Sequence, residues 1–254
     1  MTIFAEELVF PPLSHILRWK DIIPGFNKIG VISVLAALIT LLIFALAGKG
    51  DPLVAPKGIK NFAESIIEFV QKNVIEPTMG HDGLAWTPFL LSLFMFVFLT
   101  NITGIIPTFQ MPANARLAAP LFLALIVWLV FVGVGLKHQG PKYFTTLLWP
   151  PGVPVALKPL VGVIEFVSTI IVAPFSLAVR LFANMMAGHI LLFTFALMTK
   201  TMLNSVPWLK ALSFLPFLML MFITAFEVLV AFLQAYIFAM LTGVYIGSSA
   251  HAEH

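Results

Sequence analysis

Two long apolar stretches in the C-terminal half carry the residues that could do chemistry. Glu165 and Arg180 lie in the first, with His189 nine residues further on, and Glu227 lies in the second. Asn184 and Gln234 are uncharged polar companions. An arginine at bilayer depth costs about 2.5–3.5 kcal/mol on insertion scales, and intramembrane ionisable groups mark ion paths or relays by default. Histidine titrates near neutrality, and burial moves a glutamate towards neutrality. The set therefore suits stepwise proton passage beside a fixed cation. No catalytic or metal-binding role is expected of these residues. The chain has no cysteine, which removes thiolate chemistry and disulfides. No G-x-x-x-x-G-K-[ST] loop is present to bind nucleotide phosphates. The terminal His-Ala-Glu-His reads as a solvated tail, so neither metal nor cofactor is expected.

The elements that hold these groups must be membrane helices. The chain of 254 residues is 60% hydrophobic and 10% charged, which fits a polytopic membrane protein and no soluble domain. A net charge of +3 gives no reason to expect a nucleic-acid partner. Residues 1–28 are mixed in character and do not read as a cleavable signal. Ile29–Ala47 is a first span, Leu84–Pro107 a second and Leu117–Leu136 a third. Between the first two, residues 59–76 show Ile59, Phe62, Ala63, Ile66, Val70 and Val74 at helical spacing, with Lys60, Glu64, Glu68 and Lys72 on the other side. This predicts an amphipathic helix on the membrane surface or on a partner, ended by Pro77.

Leu160–Leu197 and Ala211–Gly247 are each too long for an upright span. Neither has a central polar turn, so the expectation is two long tilted helices, 160–197 and 208–247, joined near Asn204–Pro207. Residues 248–254 form a tail. The expected fold is a single all-α membrane domain of about five transmembrane helices plus one interfacial helix. The last two helices form an antiparallel hairpin. Lysines and arginines divide seven against six between the two sides, so charge does not orient the chain.

The face through Arg180 holds Thr169, Ala173, Ser176, Ala183, Asn184 and Ala187, all small or short and polar. Small residues let another backbone approach. Ile171, Phe175, Phe182, Met185, His189 and Phe193 fall on the opposite side. One antiparallel register sets Arg180 opposite Gln234 and His189 opposite Glu227 to within a turn. Arg180 and His189 themselves are half a turn apart on an ideal wheel.

At these residues the chain resembles subunit a of the bacterial F-type ATP synthase. "LAVRLFANMMAGH" (Leu177–His189) is similar to the family's arginine helix, and "FLQAYIFAMLTGVYI" (Phe232–Ile246) to its last helix. "NITGIIP" (Asn101–Pro107) and "NFAESIIEFV" (Asn61–Val70) resemble weaker signatures. The resemblance implies a non-catalytic proton-channel stator. Arg180 would be its essential arginine, with Asn184 and Gln234 as polar neighbours and Glu165 towards the cytoplasmic half-channel. The small-residue face would meet a rotating ring of c subunits. Other implied partners are b-type peripheral stalk subunits, the soluble catalytic sector, the lipid bilayer and protons. The implied location is the bacterial plasma membrane, with the N-terminus outside and the C-terminus cytoplasmic. Two departures stand out. Many family members carry an acid where this chain has His189 and a histidine where it has Glu227, so the pair looks exchanged. The stretch Pro112–Leu125 lacks the Asn-Val-Thr common before the third span. The alternative is a self-contained proton-coupled secondary transporter. It would require internal repeats and discontinuous helices, and neither is legible.

Overall fold

The computed structural model describes residues 28–48, 58–106, 114, 116–149, 154 and 157–250. The expected external segment 1–28 and the tail beyond Ala250 lie almost wholly outside the described residues. Every described element is helical, and five helical stretches are long and apolar enough to cross a membrane.

Helix α1 (Lys28–Ala47) is apolar on all sides, as a lipid-facing span requires. Helix α2 starts as Ile59–Val70, with Ala63 and Val70 buried and Glu64 and Glu68 exposed. Pro77 does not end it. The helix widens into a π turn at Gln71–Ile75 and continues through Glu76–Met79. A proline ring clashes with the carbonyl four residues back, and a wider turn relieves that clash. The chain then stops at Gly80, whose φ of 66° favours glycine. A 3-10 turn (His81–Trp86) leads into α3 (Thr87–Ile102), the second span.

Helix α4 (Ala118–Gln139) is the third span. The polar connection after it contains a short helix, α5 (Lys142–Leu148), that hydropathy did not suggest. Tyr143 of α5 lies against Gly135 of α4 so closely that a Cβ at Gly135 would meet its ring.

The fourth span, α6, is one continuous helix over Lys158–Leu203, longer than expected. It comprises Lys158–Val167, a π turn at Ser168–Val172, and Ala173–Leu203. At 1.5 Å per residue its 46 residues reach about 70 Å, more than twice the hydrocarbon thickness. After Asn204–Val206 and the short α7 (Pro207–Leu212), the chain returns as α8 (Phe214–Ala250). Helix α8 includes Ser248–Ala250, which were expected in the tail.

The core lies where α8 packs on α3, α4 and α6 and where α6 packs on α4. Leu90, Phe94, Val127, Phe131, Leu177, Leu181, Phe238 and Ile246 are buried there. Phe232 receives Phe94 and Phe98 edge-on, with centroids 5.8 and 6.3 Å away. Gln139 donates from Nε2 to the Ser249 carbonyl at 3.2 Å, tying the ends of α4 and α8.

Candidate functional site

Why α6 presents its polar groups as it does follows from its packing. Leu177, Leu181, Met185 and Gly188 are buried at spacings of three and four, forming the stripe that seats on α4 and α8. On a 3.6-residue wheel Arg180 lies about 100° to one side of Leu181, and His189 about 80° to the other. Asn184 is on the arginine's flank. The half-turn between Arg180 and His189 is therefore spanned by the buried stripe.

Arg180 stands at the midpoint of Lys158–Leu203 and is exposed. Ala183 and Ala187 are exposed with it, while Ser176 and Thr169 are half-buried. Ala173 departs from the expected outward stripe: it is buried, at 5% exposure, because it lies one turn before Leu177 on the row that continues through Leu181 and Met185. Among the described residues no acid forms an ion pair with Arg180.

The contacts between α6 and α8 fix which groups meet. Asn184 Nδ2 donates to Gln234 Oε1 at 3.4 Å. Gln234 is buried, and its Nε2 has no hydrogen-bond partner among the described residues. Gln234 thus reaches the arginine's flank through Asn184. Glu227, 6% exposed, lies against Gly188, and a Cβ there would strike its carboxylate. His189 is the next residue and is half-buried on the far flank. Glu165 is exposed near the start of α6, apart from this cluster. Among the described residues no group of three or more metal-ligating side chains converges.

Sequence reading missed a second polar cluster. Asn114 donates from Nδ2 to Asn101 Oδ1 at 2.7 Å and to Thr100 Oγ1 at 3.0 Å. All three residues are buried, and Asn101 Nδ2 has no partner among the described residues. Its depth follows from how α8 passes α3. Thr78 meets Gly243 and Gly247 near the start of α3, and Phe94 and Phe98 meet Phe232 further along. Continuing in that sense brings Asn101 to within about one helical turn of the level of Glu227. The signal was weak because an asparagine in a loop is ordinarily solvated.

The chain is similar to known proteins over nearly its whole length. The family model described as ATP synthase A chain matches residues 30–247. ATP synthase subunit a of Frankia alni is 42% identical, over 99% of this chain and 90% of its own length. The subunit a of Rhodococcus erythropolis is 38% identical, over 99% and 94% respectively. That of Methylobacterium sp. is 40% identical, over 95% and 90%. With the five apolar helices and these matches together, the chain belongs to the ATP synthase subunit a family, whose members are non-catalytic, multi-pass membrane subunits serving proton transport.

Proposed function

We propose that this chain is the stator that gives protons two offset paths to carboxylates on a rotating ring of c subunits. One observation carries the reading: Arg180 is exposed halfway along a membrane helix, with no described acid of its own chain paired to it. Its insertion cost is then offset from outside the chain. A carboxylate on a close-packed neighbour supplies the opposite charge, and the exposed Ala183 and Ala187 leave room for that neighbour's backbone.

Protons enter from outside past His189 and Glu227, with the Asn114–Asn101–Thr100 cluster at the same level as further polar lining. They neutralise a ring carboxylate, which then rotates through lipid. Release follows on the cytoplasmic side near Glu165. Arg180 favours the ionised form of a carboxylate beside it and opposes direct passage between the two paths. Asn184 and Gln234 orient the polar surroundings of the arginine. The driving force is about 2.3 kcal/mol per charge per 100 mV. In this reading the N-terminus is outside, the C-terminus is cytoplasmic, and b-type stalk subunits hold the chain against the ring and the soluble catalytic sector.

The test is ATP-driven acidification of vesicles carrying the assembled enzyme with Arg180→Ala. Coupled pumping should vanish. Undiminished pumping would overturn the assignment.

A further inference from the structure

The π turn at Ser168–Val172 lies between Glu165 and Arg180. In it the Ala173 N–H donates to the Ser168 carbonyl, five residues back instead of four. Two local causes act together. Thr169, Ile170, Ile171 and Val172 are four successive β-branched residues, which crowd an α turn. Pro174 follows, and its ring would press on the Ile170 carbonyl in a regular helix. The other π turn has the same placement, ending at Ile75 two residues before Pro77.

A π turn takes up one extra residue without advancing the helix by a full α-helical step. Two pairs of positions reveal the effect. Gly162 is 19 residues before Leu181, and Glu165 is 19 residues before Asn184. Five whole α turns take about 18 residues, so in an unbroken helix each pair would be about 100° out of phase. Yet Gly162 is buried against the Leu148 carbonyl of α5, and Leu181 is buried in the stripe of α6, a helix that packs on α4 and α8. Helix α5 packs on α4, as α6 does, so both residues face the same side. Discounting one residue brings Gly162 into line with Leu181, and by the same step Glu165 into line with Asn184.

We infer that the π turn is a one-residue register insert which positions Glu165 on the Asn184–Arg180 flank while Gly162 seats on α5. The functional spacing from Glu165 to Arg180 is that of 14 α-helical residues, although 15 positions separate them. The inference deepens the proposed function and rests on the role given there to Glu165. It makes an unusual demand. Removing a residue from the middle of this membrane helix leaves the site in phase, and adding one does not.

The chain has no cysteine, so one can be placed freely. In the assembled enzyme, Glu165→Cys is alkylated with a charged maleimide, alone, with Ile171 deleted, and with one alanine inserted after Ile171. The deletion should leave the labelling rate within about twofold, whereas the insertion should change it by about tenfold, since one α-helical residue turns position 165 by about 100°. With Glu165 intact, coupled pumping should survive the deletion and fail with the insertion. Because the deletion narrows the turn before Pro174, it is also made with Pro174→Ala. If both deletion variants lose assembly or pumping, or if the insertion is tolerated as well as the deletion, the inference is overturned. Glu165→Gln separates the two ideas. Full pumping in that variant would remove the role of Glu165, while the labelling result would still decide the phase.

Discussion

Gly188 holds its place because of what lies on it. The Glu227 carboxylate occupies the space where a side chain would begin. Helix α6 has no freedom to retreat there, since Leu181 and Met185 are packed on the same stripe. The carboxylate ends a flexible side chain, so it yields before the backbone does. Gly188→Ala should therefore displace the Glu227 carboxylate and reduce ATP-driven pumping severalfold while leaving the fold intact. Glu227→Asp, one methylene shorter, should recover part of the loss in the double variant. Wild-type pumping by Gly188→Ala would show that the carboxylate can move without consequence. The charged members of the site are legible in the sequence because an ion in an apolar run is conspicuous. Gly188 is not, since its role lies in what α8 brings to it. Asn114 is hidden for the opposite reason: polar residues are expected in loops, and only the fold buries this one.

At the scale of elements, hydropathy predicts five spans, the number found among the described residues, because burial in lipid demands about 20 apolar residues in a row. It fails where proline decides. Pro77 reads as a stop, yet α2 passes it by widening one turn. The continuation matters, because it carries Thr78 to α8. There a Cβ on Gly243 would come within 2.6 Å of Thr78 Oγ1, and one on Gly247 within 2.7 Å of the Thr78 carbonyl. Tyr236 adds a hydrogen bond from its hydroxyl to the Asn73 carbonyl at 3.3 Å. The amphipathic helix is thus docked on the last span by backbone-close packing at one end and by aromatic packing of Phe69 on Phe232 and Tyr236 at the other. Gly247→Val should wedge the two apart, because the facing group is main chain and cannot rotate away. The expected destabilisation is about 1–3 kcal/mol, read as earlier thermal loss of the assembled complex in detergent. Val244→Ala, at an exposed neighbour, should change it little. Equal melting of both variants would refute the close packing as a source of stability.

For the whole molecule, the sequence predicts about five spans but not their direction. Positive charges are almost evenly divided, so the usual bias of basic residues towards the cytoplasm gives no answer. The structure separates the two ends clearly. One end gathers α2, α5, Trp149 and Lys158, whose ammonium lies 5.9 Å from the Trp149 ring centroid. The other holds the turn at Asn204–Val206 and the exposed Trp208. Aromatic residues at both ends suit the two membrane–water interfaces. In the proposed orientation the first end is cytoplasmic, where Glu165 is nearer, and the turn after α6 is outside. Single cysteines at these ends can decide it. With a membrane-impermeant maleimide on intact cells, Ser205→Cys should be labelled and Lys142→Cys protected, and inverted vesicles should give the reverse. The opposite pattern would exchange the entry and exit paths. Protons from outside would then reach Glu165 first, and His189 with Glu227 would become the release side, while Arg180 would keep its place between them.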